Sequence, residues 1–327
     1  MSGSIIDDVV EVIMSANDPR VSIGMPVYNG EKFIEAAIES ISAQTYDEFE
    51  LIISDNASTD RTATICLDYA ARDKRIHYYR NDENLGAAPN FNRVFELSTG
   101  EYFKWAACDD VIAPEFISQC LEALDQNSTV VLCYSRSNII DENGQFLGVH
   151  KLRATSDSSK PHIRFRDLAL KPDTGFQVFG LMRANVAKKT ALIGNYPASD
   201  LVFLAELALY GKFLELPAPL FFPRYHPDQS TKGSWSVERD RTLWFDTSLR
   251  GKIMLPKWRY LIGYLDAIRR APVGRYNRIY CYSQMVRWVL MPDHMRALGK
   301  DTILAASKLM VRTFVRPKTT PDGSTIE

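Results

Sequence analysis

"VSIGMPVYNGEKFIEAAIESISAQTYDEFELIISDNASTDRT", residues 21–62, decides the fold. Val21–Met25 reads as a short buried strand running into a Pro-Tyr-Asn turn. In "GEKFIEAAIESISAQ" the apolar positions Phe33, Ile34, Ala37, Ile38 and Ile41 recur at helical spacing. "FELIISDNAS" is a second strand that ends in polar loop residues, and Asp60 is placed to cap the helix "RTATICLDYAARD". Strand, helix, strand, helix is the signature of a βαβ unit with parallel strands.

The pattern continues outward. "RIHYYRN" is a third strand, "AAPNFNRVFELST" a helix ended by Gly100, and "EYFKWAAC" a fourth strand. Pro114 opens another helix at a favoured early position. "TVVLCYSRSNIID" is a fifth strand before a turn at "ENGQ". The first 145 residues therefore predict an α/β domain with a Rossmann-like, mostly parallel central sheet flanked by helices. Residues 146–175 are polar and irregular and read as a mobile loop. Gly175–Met182 reads as a strand, "ANVAKKTALIG" as a helix, and "SDLVFLAELALYG" as a strongly apolar helix closed by Gly211. "KFLELPAPLFFPRYH" reads as two short strands with proline turns. The chain is then helical over roughly 237–250, 256–270, 275–291 and 297–315. Four regions follow: an N-terminal extension, 1–19; an α/β domain, 20–236, divided near 145; a basic helical region, 237–316; and a disordered tail, 317–327.

The net charge of −1 hides an asymmetry. Residues 1–240 carry 23 basic and 34 acidic side chains, whereas 241–320 carry 16 and 4. The C-terminal quarter is thus set to meet something anionic. Five scattered cysteines without a C-x-x-C pair argue against a disulfide framework or a zinc site and fit a reducing cytoplasm. No N-terminal segment combines a basic start with an apolar core, and no apolar run approaches the roughly 20 residues that span a bilayer.

Ligands of open α/β sheets bind outside the carboxyl ends of the strands. Those ends carry Pro26, Tyr28 and Asn29; then Asp55, Asn56 and Ser58; then Asn84 and Gly86; then Asp109 and Asp110. Asn29 and Asn56 can also serve as turn residues. No dinucleotide fingerprint or P-loop is present. The adjacent Asp109 and Asp110 repel each other unless something cationic joins them, and hard carboxylate oxygens suit Mg²⁺ or Mn²⁺. Capping of the helix after Pro114 is the plainer alternative for this pair.

With "NLGAAPNFN" and the acid pair following in order, the chain resembles the family 2 glycosyltransferases over roughly residues 20–235. The resemblance implies a GT-A fold, a nucleotide-diphosphate-sugar donor (usually a UDP-sugar), a divalent metal, and inversion at the anomeric carbon. It matches Tyr28 to the residue that stacks near the nucleobase, Asp55 to the acid that hydrogen-bonds it, and Asn84 to Asn90 to the segment lining that pocket. Cys108-Asp109-Asp110 occupies the D-x-D position. Asp109 then faces ribose or donor sugar and Asp110 ligates the metal, while Cys108 stands as a buried neutral residue. Asp200, just before an apolar helix, matches the general base, with a helix N-cap as its plainer role. In "FPRYHPDQSTKGSW", His226 is matched to the metal or the diphosphate, and Ser230 and Lys232 to the phosphates. The implied acceptor is a glycan or lipid-linked glycan, and nucleic acid is not an expected partner. A sugar nucleotidyltransferase and an inactive nucleotide-sugar or glycan-binding protein are the competing readings. The C-terminal helices leave three placements open: packing on the catalytic domain, a homo-oligomer interface, or peripheral contact with an anionic membrane through 275–316.

Overall fold

A computed structural model describes residues 19–150, 156–171, 174–227, 229, 238–250 and 252–314. The predicted N-terminal extension and C-terminal tail lie outside the described residues, apart from Pro19. Among the described residues nine strands form one sheet: β1 (Val21–Val27), β2 (Phe49–Asp55), β3 (Ile76–Arg80), β4 (Tyr102–Trp105), β5 (Val111–Ile112), β6 (Val130–Ile140), β7 (Phe146–His150), β8 (Leu181–Arg183) and β9 (Lys212–Phe222). Their order is β3-β2-β1-β4-β8-β6-β9-β5, with β7 beside β6. The β3-β2-β1-β4 half is wholly parallel. Beyond it β8 runs antiparallel to both β4 and β6, and β9 runs parallel to β6.

The parallel half arises as its residues dictate. All residues of β1, β2 and β4 are buried, so they read as continuous rather than alternating apolar runs. Crossover helices α1 (Ile34–Ser42), α2 (Thr62–Arg72) and α3 (Ala87–Glu96) connect them. α1 buries Ile34, Ala37, Ile38 and Ile41, one face of its 3.6-residue period. Asp60 holds the start of α2, accepting from Thr62 N at 3.0 Å and Thr62 Oγ1 at 2.5 Å. α4 (Phe116–Gln126) starts two residues after Pro114, with neither aspartate as its cap.

The second half departs from the expectations. Residues 146–175 contain β7 and α5 (Pro161–Leu170) rather than a loop. Polar composition hid α5, because its buried polar groups find distant partners: Arg164 gives Nε to Ala208 O at 2.7 Å. Gly175–Met182 is a 3₁₀ turn, Phe176–Phe179, leading into β8. The helix after it, α6 (Ala184–Ala187), is a single turn. "KFLELPAPLFF" is one strand, not two. Its register against β6 jumps from Ser135↔Leu216 to Arg136↔Pro219, a bulge that accommodates prolines unable to donate.

α7 (Ser199–Tyr210) is apolar all round because it is covered all round. It packs beside the sheet, with Phe203 edge-on to Trp105 at 5.2 Å, and contacts α5 and α9. α8 (Glu238–Phe245), α9 (Pro256–Arg270), α10 (Arg275–Leu290) and α11 (Pro292–Phe314) follow among the described residues. The helical region packs on the α/β body: Tyr264, Ile268, Cys281, Met285 and Trp288 share one core with Trp105 and Phe203. The expected boundary at 236/237 falls outside the described residues. An ion pair locks this junction. Glu206, fully buried on α7, takes Arg270 Nε at 2.8 Å and Nη2 at 3.0 Å. Arg270→Ala strands that carboxylate without its cation. It should lower unfolding free energy by about 2–3 kcal/mol, below the full buried-pair range because Arg270 keeps some solvent contact. Urea unfolding measures it.

Candidate active site

The carboxyl edge of the parallel half is tied together before any ligand arrives. Asn29, with a left-handed φ of 52°, gives its N–H to Ser58 Oγ at 2.9 Å, and its Oδ1 accepts from Thr59 N at 2.8 Å. Asn56 is buried: its Nδ2 donates to Asn84 Oδ1 and Gly86 O, and its Oδ1 accepts from Asn81 Nδ2 and Leu85 N. Asn90 closes the same network, exchanging hydrogen bonds with Ser54 and accepting from Asn81. Gly86 has φ 92°, and an added Cβ would stand 2.7 Å from Phe245 O, so this glycine seats the start of α3 against the C-terminal region. Asn56, Asn84 and Asn90, expected as ligand contacts, are joined with Asn81 in one hydrogen-bond network. Pro26 lies buried inside β1. Tyr28, in the loop that follows β1, is 46% exposed.

Asp55, expected to meet the nucleobase directly, has no exposed surface. Its Oδ1 accepts from Ser58 N at 2.8 Å, and its Oδ2 from Tyr78 OH at 2.7 Å and Arg80 Nη1 at 2.6 Å. Arg80 also gives Nη2 to Ser58 O at 2.8 Å while its side chain stays 44% exposed. The sequence reading passed over Tyr78 and Arg80. Their place at the end of β3, on the same sheet edge, was the available signal.

β5 builds the acid cluster. It is two residues long and pairs with β9, Val111↔Phe222 and Ile112↔Phe221. That register draws the residues just before β5 alongside those just after β9. Asp110 Oδ1 accepts from Arg224 N at 2.8 Å, and Asp109 O accepts from Arg224 Nε at 2.8 Å. The Asp109 carboxylate lies 3.0 Å from His226 Nε2. Arg224 extends on to the carbonyls of Asp141 and Glu142, and its guanidinium lies over Phe33. Phe33 also packs on the His226 ring at 4.6 Å. The Nδ1 of His226 is buried and has no partner among the described residues. Burial, then the neighbouring Asp109 charge, pushes the Asp110 carboxyl well above the usual carboxylate range. Cys108 is half-buried rather than buried; burial and both carboxylates hold its thiol in the neutral form. Ser230 and Lys232 lie outside the described residues.

Lys104 stands in the sheet at 1% exposure. Its Nζ donates to Trp105 O at 3.1 Å and to Phe179 O, above the rings of Phe116 and Phe221. Burial lowers its pKa from 10.5 to about 8. Between those values the unfolded lysine holds a proton that the folded one has released, so this group makes folding more favourable as pH rises. The wild type should therefore gain about 3 kcal/mol on Lys104→Met between pH 8 and 10.5. Urea unfolding of both proteins across that window measures the gain.

Asp200 sits in the first turn of α7, half-exposed. The N-cap position belongs to Ala198, so Asp200 is not the cap. Its Oδ2 lies 2.7 Å from where a Cβ on Gly175 would stand; Gly175 has φ 75°, and the close fit requires glycine there. Phe176, the next residue, packs on Phe221 of β9 at 5.8 Å. The 3₁₀ turn thus links the Asp200 side of the site to the strand that holds the acid cluster.

A sequence profile described as "Glycosyl transferase family 2" matches residues 22–189. An uncharacterized glycosyltransferase of Haemophilus influenzae is 30% identical over 232 residues, covering 69% of this chain and 71% of that protein. A similarly described protein of Rickettsia typhi is 29% identical over 237 residues, covering 69% and 70%. The crystal structure of S. aureus TarS 1–349 in complex with UDP superposes with a TM-score of 0.55 at 16% identity, covering 93% of this chain and 95% of that one. That likeness shows a GT-A type fold. By profile, relatives and fold together, the chain belongs to the family 2 glycosyltransferases.

Proposed function

We propose that the chain transfers a sugar from a nucleotide-diphosphate donor, a UDP-sugar, to a hydroxyl of a glycan or lipid-linked glycan, with inversion at the anomeric carbon. The observation that carries this reading is the cluster of Asp109, Asp110, Arg224 and His226 at the carboxyl edge of the sheet. The TarS structures with UDP and UDP-GlcNAc, which share the fold, support uridine as the base.

Tyr28 offers an exposed ring on which a base can stack. Asp55 acts on the base through Arg80, whose guanidinium it holds in place at the end of β3. Asp109 and Asp110 face the diphosphate end. Among the described residues no three His, Cys, Asp or Glu side chains gather to hold a metal alone. The two carboxylates fit a hard cation, Mg²⁺ or Mn²⁺, that takes its remaining ligands from phosphate and water, whereas His226 turns Nε2 to Asp109 and its buried Nδ1 lies on the other side of the ring. When bound, such an ion would supply positive charge against the leaving diphosphate. Arg224 holds Asp110 and the Asp109 backbone, so both carboxylates keep a fixed separation from β9. Asp200 takes the proton of the attacking acceptor hydroxyl.

Incubation with a panel of UDP-sugars and Mn²⁺ tests the reading. The expected result is UDP release that an acceptor glycan stimulates and that EDTA abolishes. Triphosphate formation from UDP-sugar and pyrophosphate, without UDP release, would overturn it in favour of nucleotidyl transfer.

A further inference from the structure

Helix α10 is apolar on two opposite faces. Cys281, Met285 and Trp288 are buried in the core, where the helix meets α5 and α9. On the other side Tyr276, Ile279, Val286 and Leu290 are 60–71% exposed. At about 100° per residue, these four fall within an arc of about 80°. The same spacing sets Arg275 and Arg287 on either flank of that arc. α11 follows directly and exposes Met295, Ile303, Leu304, Leu309 and Met310. Of the eighteen large apolar side chains exposed among the described residues, twelve lie between residues 258 and 310. Solitary exposed apolar residues are ordinary on a protein surface; an apolar stripe of this length is not.

Charge names the occupant. Residues 256–314 hold 11 basic and 3 acidic side chains. Arg269, Arg270 and Arg296 are paired with Asp266, Glu206 and Asp293. Arg275, Arg278, Arg287, Lys300 and Lys308 have no carboxylate partner among the described residues. A second copy presenting the same face would bring like charge against like. A bilayer of anionic phospholipid offers both complements at once: acyl chains for the stripe and phosphates for the arginines that flank it. Among the described residues no helix is long and apolar enough to cross a membrane, so the contact is one of surface docking.

We propose that α10 and the exposed face of α11 dock the protein on an anionic lipid surface, with Tyr276, Ile279, Val286 and Leu290 inserted at the headgroup boundary. The proposal does not depend on the transfer reaction. The full-length chain is sedimented with sucrose-loaded vesicles of phosphatidylglycerol and phosphatidylcholine, and with phosphatidylcholine alone. The expected result is binding to the anionic vesicles that falls more than about tenfold without anionic lipid or on raising NaCl from about 0.1 to 0.5 M. The double variant Ile279→Glu/Val286→Glu should lose more than about tenfold in binding at an unchanged melting temperature, because both side chains are exposed. Should that variant misfold, Arg275→Glu/Arg287→Glu removes the flanking charge and should weaken binding to the same anionic vesicles. The proposal is overturned if the wild type stays in the supernatant, if it binds neutral vesicles equally well, or if folded variants bind unchanged. A wild-type dimer that ignores vesicles and that Ile279→Glu/Val286→Glu converts to monomer would assign the face to a second copy instead.

Discussion

Asp200→Asn should lower the turnover number by about 10²–10⁴, the range that a positioned general base supplies, while leaving UDP binding within about twofold. The substitution is nearly isosteric, so the close fit against Gly175 is kept. It does not touch the helix cap, which is Ala198. α7 is held by buried Val202, Phe203, Leu204 and Leu207, none of which depends on the charge at 200. A large loss of turnover therefore cannot be ascribed to an unfolded α7, and thermal melting should confirm a normal transition. The groups proposed to face the donor stand on other elements, at the ends of β1, β3 and β4. Calorimetric titration of UDP should consequently be almost unchanged. Near-normal turnover in the variant would remove Asp200 from the mechanism. A parallel loss of turnover and UDP affinity would mean that its role is structural.

The parallel half of the fold was legible because its signals are local. Strands buried on both faces show as unbroken apolar runs, and their crossover helices show their period within a few turns. The C-terminal helices were legible for the same reason, although the last begins at Pro292 rather than at the expected 297. What stayed hidden depends on distant partners. β5 is two residues long and exists because β9 arrives beside it. α5 looks like a loop until the Arg164 guanidinium meets the Ala208 carbonyl, 44 residues away. The site divides along the same line. Asp109 and Asp110 stood out because adjacent acids at a strand end are costly in any context. The network that joins Asn56, Asn84 and Asn90 through Asn81 is invisible in the chain order. Arg80 had only its place at the end of β3 to mark it, and Arg224 reaches the aspartate pair across 115 residues.

Asp110→Asn should produce a protein that is more stable without metal and unable to bind it. The carboxyl of Asp110 is held well above its ordinary range by burial and by the Asp109 charge, and the counter-effects of Arg224 and Lys104 do not cancel this. A folded-state pKa above the unfolded value means that the folded protein binds the extra proton. The fold therefore loses stability as pH rises through the unfolded pKa, near 4, toward the folded one. Asparagine carries no such charge, and its Oδ1 can still accept from Arg224 N. In EDTA at pH 7 the variant should melt above the wild type, and the difference should shrink as pH falls to about 4. With Mn²⁺ and UDP present the order should reverse, because a ligand bound only by the folded state stabilises it. Turnover should fall by at least about 10², as it does when a preorganised electrostatic group is lost. Electron paramagnetic resonance of Mn²⁺ reads the binding directly. Unchanged Mn²⁺ affinity in Asp110→Asn would overturn its proposed place in the cation site. A variant that melts below the wild type in EDTA would show that Asp110 is retained for stability, and that its adjacency to Asp109 needs no cation to explain it.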